Sequence, residues 1–250
     1  MSLRPLTIPR VHADGVAIFG DLHLAAPGTE ACGRANVETL QRLLDALRRR
    51  ADLIIVNGDL FDLERGRLPW SQNRELSRLK AAHAELLRLL RAPDIIWVAG
   101  NHDAVLGDTG EAALAIDVVL PTAVLRVEHG HRFDAPIKRL RAFASGVTWL
   151  SGRVRRPPWT PVFRAMKLAE RVLAGDTEEH CPVEAGAAAS LRRDGSVDAM
   201  VIGHTHRALE RRVGEKLLLN PGGSEDRLRA LVVRSNAAGT GVHVEHVDIW

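Results

Sequence analysis

Five short polar clusters carry the residue types that ligate metals. Gly100-Asn101-His102-Asp103 follows the apolar run Ile95 to Val98. Asp21-Leu22-His23 follows Val16 to Phe19, and Gly58-Asp59-Leu60-Phe61-Asp62 follows Leu53 to Val56. His129-Gly130-His131 follows Val124 to Val127, and Gly203-His204-Thr205-His206 follows Val197 to Ile202. Each apolar run reads as a buried strand, so each cluster falls where a strand ends and a loop begins. That is where open α/β sheets bind their ligands. Taken singly, Asp21 reads as a turn or cap residue and His23 as a surface loop histidine. Taken together, the clusters supply a ligand set gathered from across a sheet. Oxygen and nitrogen donors without thiolate suit Mn, Fe or Zn.

The spacing inside the clusters adds detail. Alternate residues of an extended segment point the same way, so Asp21 and His23 can face one ion. Asp59 sits at a strand end and has two carboxylate oxygens with which to bridge two cations. Asp62, three residues on, suits a place behind the ligands. His204 and His206 can face different ions, or one ion and a bridging group. Two cations about 3.5–4 Å apart can hold a shared water, lower its pKa and offset charge on a phosphate.

The elements that must position these residues follow from periodicity. Arg34 to Arg50 reads as an amphipathic helix, with Val37, Leu40, Leu44 and Leu47 at helical spacing. Arg48, Arg49 and Arg50 lie near its C-terminus, where cations suit the dipole. The strand-helix-strand order from Val16 to Val56 predicts a parallel pair. Ser71 to Arg91 reads as a second helix, with Leu76, Leu79, Leu86 and Leu90 on one stripe. His83 on that stripe is expected to be a partly buried structural histidine. A short helix is expected over Glu111 to Ile116, with strands at Val118 to Leu120, Val124 to Val127 and around Ala142 to Trp149. Leu217 to Leu219, Leu228 to Val233 and Val242 to Ile249 read as a closing antiparallel set, with His243 and His246 as structural residues of the last strand. Asn220-Pro221-Gly222-Gly223-Ser224 forms a loop near the site.

Residues 150–196 break the pattern. Arg153, Arg155, Arg156, Arg164, Lys167 and Arg171 are interleaved with Trp159, Phe163 and Met166. Pro157, Pro158 and Pro161 forbid one continuous helix. The stretch reads as an insertion with one or two helices over the site. A solvated basic surface and a substrate-binding lid fit it equally. A basic surface studded with aromatics suits phosphate-bearing amphiphiles or anionic lipid headgroups, and with them peripheral membrane contact. Arg65 and Arg67, in a loop containing Gly and Pro, are further candidates for binding substrate.

With 250 residues the chain can form one large domain, and 1–250 is read as a single one. Lys plus Arg is 34 and Asp plus Glu is 31, so the formal charge of +3 gives no sign of a nucleic-acid footprint. Cys32 and Cys181 are far apart and in no metal-like spacing, which suggests two unpaired thiols in a reducing compartment. Met1 to Arg10 is mixed and broken by Pro5 and Pro9, so no signal peptide is expected. No run approaches the roughly 20 apolar residues of a membrane span. A cytoplasmic enzyme is expected, with room for contact at the inner membrane face and no protein partner inferred.

The order Asp-x-His, Gly-Asp-x-x-Asp, Gly-Asn-His-Asp, His-Gly-His, Gly-His-x-His resembles the calcineurin-like metallophosphoesterases. The blocks run from Asp21 to His206, most of the chain. The resemblance implies a four-layer αββα sandwich of two mixed sheets with a helical insertion. It implies two divalent metal ions, one held by Asp21, His23, Asp59 and His206, the other by Asp59, Asn101, His129 and His204. The family's use of the first histidine in the fourth block favours His129 over His131, leaving His131 as a nearby polar group. His102 is then the proton donor for the leaving oxygen, and Asp62 orients its ring.

Asp-Leu-His-Leu, Gly-Asp-Leu-Phe and the 75-residue separation of His129 from His204 are also similar to the UDP-2,3-diacylglucosamine hydrolases, lid-bearing pyrophosphatases of lipid A synthesis. Those enzymes usually carry arginine where His102 stands and aspartate where His131 stands. The departures favour a lid-bearing relative acting on a different phosphoester or pyrophosphate. A nuclease or cyclic-nucleotide phosphodiesterase is a rival, though the sequence shows neither a base-stacking platform nor a strong basic footprint. A non-catalytic binding module on the same fold is another, against which every ligand position and His102 are filled. No nucleophile elbow and no Gly-rich phosphate loop after the first strand support a serine hydrolase or a dinucleotide fold.

Overall fold

Strand β2 (Gly15–Phe19) is buried along its whole length and apolar on both sides. Ala17 and Phe19 pack among helical leucines, while Val16 and Ile18 pack against a second sheet. A strand of this kind needs a covering layer on each face. Strand β3 (Leu53–Asn57) repeats the alternation, with Ile54 and Val56 toward the helices and Ile55 toward the other sheet. The architecture is therefore four layers, helix on sheet on sheet on helix. It is seen in a computed structural model that describes residues 8–25, 35–63, 71–134, 181–224, 227–236 and 241–249.

In the first sheet β2, β3 and β4 (Ile95–Val98) are parallel neighbours. Strand β10 (Leu228–Ser235) runs antiparallel to β2, and β11 (Val242–Ile249) antiparallel to β10. The second sheet comprises β1 (Arg10–His12), β5 (Ala115–Leu120), β6 (Ala123–Glu128), β7 (Ala199–Val201), β8 (Leu209–Val213) and β9 (Lys216–Asn220). Its order is β1-β5-β6-β7-β9-β8, with β6, β7 and β9 mutually parallel as neighbours. Ala199 and Val201 point into the space between the sheets, and Met200 and Ile202 point outward.

Helix α1 (Val37–Arg48) covers the first sheet through Leu40, Leu43, Leu44 and Leu47. It opens on a reciprocal cap: Asn36 Oδ1 accepts from Thr39 N at 2.8 Å, and Thr39 Oγ1 accepts from Asn36 N at 3.1 Å. The predicted helix over 71–91 is two, α2 (Gln72–Ala82) and α3 (Ala84–Leu90), broken at His83. There the backbone leaves helical geometry (φ −114°, ψ 29°) and the ring Nε2 lies 2.8 Å from the Ala25 carbonyl, tying the break to the segment after β2. Helix α5 (Pro182–Arg193) covers the second sheet with Val183, Ala187, Ala188 and Leu191. It lies toward the end of the 150–196 stretch; residues 150–180, and the strand expected at Ala142 to Trp149, lie outside the described residues. Among the described residues no helix is long and apolar enough to cross a membrane.

Three sequence expectations change. The short helix is α4 (Val105–Asp108), ahead of Glu111. Ala113 instead pairs with the edge of β4, accepting from Ala99 N at 2.8 Å and donating to Trp97 O at 2.9 Å, and β5 begins at Ala115. Leu217 to Leu219 does not close a set with the last strands, because β9 lies in the other sheet beside β7. Strands β1 and β8 were hidden by shortness in one case and by the charged run Glu210-Arg211-Arg212 in the other.

One buried ionic contact ties this second sheet together. Asp117 and Arg126 stand opposite each other on β5 and β6 and meet through two hydrogen bonds, 2.7 and 3.0 Å. Arg126 also holds Asp194 at the end of α5. Removing one partner of such a pair strands a buried charge. Arg126→Ala is expected to lower the unfolding free energy by about 3 kcal/mol, the low end for a broken buried pair because Arg10 can approach Asp117. Urea unfolding followed by circular dichroism checks this; an unchanged midpoint would remove the pair from the stabilising contacts.

Candidate metal centre

The carboxyl ends of β2, β3 and β4 lie side by side, and each leads into one cluster. Those of β6 and β7 lie side by side in the facing sheet and lead into the other two. The loops continue the strands' pairing. Asp21 N donates to Gly58 O at 3.0 Å, His23 N to Asp59 O at 2.9 Å and Gly203 N to His129 O at 3.0 Å. Hydrogen bonds of this kind fix the loops' spacing to that of the sheet.

The backbone at these positions is unusual. Asp21, His23, Asp59, His204 and His206 have φ of 52°, 46°, 48°, 67° and 55°. They are the non-glycine residues of left-handed conformation among the described residues. Such residues are uncommon and cluster where structure is held for function. Asp21 and His23 therefore converge through left-handed turns, not through the alternation of a plain extended segment.

The side chains meet in overlapping groups. His206 Nε2 lies 3.1 Å from His23 Nε2 and 3.4 Å from Asp21 Oδ1. Asp59 Oδ2 lies 3.2 Å from His129 Nε2, 3.8 Å from His23 Nε2 and 4.0 Å from His102 Nε2. Asp21, His23 and His206 could hold one ion, and Asp59, His129 and His204 another; His23 and Asp59 also meet His102. Donor atoms in each group lie within 4.8 Å of one another. Asp21 Oδ1 has the long 3.4 Å approach of His206 Nε2, and Asp21 Oδ2 and Asn101 Oδ1 are buried without a hydrogen-bond partner. Buried polar atoms left this way are costly unless something else binds them. Oxygen and imidazole donors with orphaned atoms fit divalent cations.

The electrostatics agree. Burial pushes the Asp59 carboxyl up, but His129 and His102 outweigh it and hold the group well below the usual carboxylate range. Asp21 is lowered too, its burial outweighed by His206 and His129. Burial takes His23 down to about 4, so it is neutral and able to ligate near neutral pH. Burial also opposes charge on His129, yet the adjacent Asp59 carboxylate carries it up to about 9. The centre thus keeps buried carboxylates anionic and draws positive charge toward them.

Several contacts hold the rings. His129 Nδ1 lies 3.1 Å from the Asn57 carbonyl, which only accepts, so Nδ1 donates there and Nε2, facing Asp59, is the nitrogen that a cation would take in place of a proton. His102 Nδ1 lies 3.1 Å from Asp62 Oδ1, and its backbone N–H donates to Asp59 Oδ1 at 2.9 Å. The sequence-predicted His131 ring is near, with its centroid 5.6 Å from that of His129 and 6.5 Å from that of His204. Arg65 and Arg67 lie outside the described residues.

Other supports were not singled out in the sequence. Asp103 is fully buried and accepts from Gly100 N at 2.8 Å and Phe61 N at 3.1 Å, joining the loops after β3 and β4. Burial, with the charge of Asp59 nearby, pushes its carboxyl up to about 6. Its place in the Gly-Asn-His-Asp cluster was the available signal. Asn220 donates from Nδ2 to Gly203 O at 3.1 Å and to Thr205 Oγ1 at 3.0 Å, bracing the two-histidine loop. Asp134, whose Oδ2 lies 3.2 Å from His204 Nε2, sits in no motif.

Fold and site together describe an αββα protein with a buried carboxylate and imidazole centre able to hold divalent cations. Residues 15–208 match the calcineurin-like phosphoesterase family. The chain belongs to that family. It is 25% identical over 207 residues to the UDP-2,3-diacylglucosamine hydrolases of Bordetella parapertussis and Bordetella bronchiseptica, covering 76% of this chain and 76% of theirs. Among solved structures, Vacuolar Protein Sorting 29 from Cryptosporidium parvum aligns with a TM-score of 0.45 at 15% identity, over 94% of this chain and 98% of that one. A predicted phosphoesterase from Streptococcus pneumoniae aligns with a TM-score of 0.40 at 15% identity, over 94% and 98%.

Gly100 lies against Asp59, and a Cβ built on it would stand 2.0 Å from Asp59 Oδ1 and 2.4 Å from Asp59 N. One of those atoms is backbone, so no rotamer change makes room. Gly100→Ala is expected to displace Asp59 and lower the metal content of the purified protein at least several-fold, with far-ultraviolet circular dichroism unchanged. Inductively coupled plasma mass spectrometry measures the content; a full metal load would show that Asp59 need not stay where it is.

Proposed function

We propose that the protein is a dinuclear metal-dependent phosphoesterase that hydrolyses a phosphoester or pyrophosphate bond. The observation that carries this is the position of Asp59, whose carboxylate is shared between the His23 and His129 sides of the centre. On this reading Asp21, His23, Asp59 and His206 hold one ion, and Asp59, Asn101, His129 and His204 the other. When bound, such a pair activates water near neutral pH and neutralises charge on the phosphate oxygens, with Mn, Fe or Zn suited to the donors.

The remaining work falls to the chain's own groups. Asp62 ties His102 Nδ1, so the proton available to substrate is on Nε2. That nitrogen lies 4.0 Å from Asp59 Oδ2, beside the centre, and the side chain keeps 14% of its surface open. His102 passes a proton to the departing oxygen as its bond to phosphorus breaks. His131 supplies a polar contact to substrate on the second sheet's side. The substrate is a phosphate-bearing small molecule or lipid-linked compound met in the cytoplasm or at the inner membrane face.

The 25% identity to UDP-2,3-diacylglucosamine hydrolases over three quarters of the chain supports a second reading, pyrophosphate cleavage in a nucleotide-linked lipid. The acid–base pair of His102 and Asp62 favours esters with poorer leaving oxygens. A panel separates them: bis-p-nitrophenyl phosphate, p-nitrophenyl phosphate, an alkyl phosphate ester, a cyclic nucleotide and UDP-diacylglucosamine, each after metal removal and Mn²⁺ readdition. Metal-dependent turnover is expected, abolished in Asp59→Asn. His102→Ala is expected to cost about 10²–10⁴-fold on the alkyl ester and much less on p-nitrophenyl esters, whose leaving oxygen needs no proton. Absence of metal-dependent hydrolysis across the panel would shift the reading to a binding module.

A further inference from the structure

Three imidazoles of the centre each turn one ring nitrogen to a fixed acceptor. For His129 it is the Asn57 carbonyl, and for His102 it is Asp62. For His204 it is Asp134, whose Oδ2 lies 3.2 Å from Nε2 across 70 residues of chain. Asp134 belongs to the loop that leaves β6, the same loop that presents His129. After Gly130 (φ 96°) a single 3-10 turn spans His131–Phe133, and Asp134 N closes it by donating to His131 O at 3.1 Å. Phe133 packs on Gly186 of α5 so closely that a Cβ there would stand 3.0 Å from Phe133 Cβ. The carboxylate is therefore held on an anchored turn.

With Asp134 Oδ2 as the acceptor in this contact, the hydrogen between the two groups sits on His204 Nε2. A neutral imidazole protonated there has its lone pair on Nδ1 alone. We propose that Asp134 is a positioning residue for one metal ion: it fixes His204 in the Nε2–H tautomer, orients the ring and leaves Nδ1 as the ligand atom. The two histidines of that ion are then used in opposite senses. His129 is tied at Nδ1 and ligates through Nε2, 3.2 Å from Asp59 Oδ2. His204 is tied at Nε2 and ligates through Nδ1. A carboxylate behind a ligand histidine also raises its basicity and so strengthens its bond to the ion.

This inference rests on the dinuclear reading, and the experiment separates the two. Metal-stripped protein is titrated with Mn²⁺ by equilibrium dialysis, for wild type, Asp134→Ala, Asp134→Asn, His204→Ala and the Asp134→Ala/His204→Ala double variant. Wild type is expected to bind two ions. Asp134→Ala is expected to weaken one of them by about 10–100-fold and leave the other unchanged. Asp134→Asn, whose amide oxygen can still accept from Nε2–H, is expected to lose less. In the His204→Ala background the Asp134 substitution is expected to have no further effect, because its action runs through that ring. Thermal melting of the metal-free variants is expected to match wild type, which rules out loss of fold. Two ions at wild-type affinity in Asp134→Ala would overturn the assignment, as would a loss that persists without His204. Fewer than two ions in wild type would overturn the dinuclear reading itself.

Discussion

Burying the carboxylate of Asp59 is the constraint on which the rest of the centre depends. The residue is 1% exposed. A lone buried carboxylate is costly by several kcal/mol even after relaxation. The rings of His129, His23 and His102 face it, and the His102 backbone N–H donates to it. With no cation bound, His129 and His102 offset its charge, but an imidazole that ligates an ion is neutral and gives that role up. Cations can take it over, and the orphaned oxygens of Asp21 and Asn101 need the same partners. Near Asp59 the chain also gives up side-chain volume. Gly58 and Gly100 stand where any Cβ would collide with His129 or Asp59. Anion, donors and space are one arrangement.

That arrangement is held against its own backbone preferences. Left-handed geometry at Asp21, His23, Asp59, His204 and His206 costs on the order of 1–3 kcal/mol at each residue. Nothing local offsets this. The offset comes from strands such as β2 and β3, which bury both faces and continue their hydrogen bonding into the loops. Asp103 and Asn220 add cross-links between loops that the ladders do not reach. The layered core and the strained edge are therefore coupled, and the strain stays at strand ends because only there can a neighbouring strand clamp it.

Much of this was legible because two signals coincided. Apolar runs marked β2, β3, β4, β6 and β7, and each was followed at once by Asp, Asn or His. Either signal alone would have been ambiguous. What could not be read depends on contacts distant in sequence. Placing Leu217 to Leu219 with the last strands was wrong, since pairing partners are not encoded in a short apolar run. The break at His83 needed the Ala25 carbonyl, 58 residues away. The left-handed conformations were invisible too, since Asp and His have no local need for them. Asp134 lies in no motif and matters only through a ring 70 residues on. Arg126, within the run Val124 to Val127, carries no sign in the sequence of its partners Asp117 and Asp194.

The proposed roles of His102 and Asp62 bear on the kind of bond cleaved. An acid is most useful where the leaving oxygen is strongly basic, as in an alkyl ester. It is least useful where the leaving group is itself a phosphate, stable as an anion. An arginine in place of His102 would stay charged and donate no proton at working pH. An arginine there can bind and stabilise an anionic leaving group, whereas a histidine tied at Nδ1 by a carboxylate can protonate one. Asp62 is buried to 2% exposure and holds the ring at Nδ1, which leaves Nε2 on the side of Asp59, 4.0 Å from its Oδ2. On the dinuclear reading this pair supports an ester with a basic leaving oxygen over a pyrophosphate.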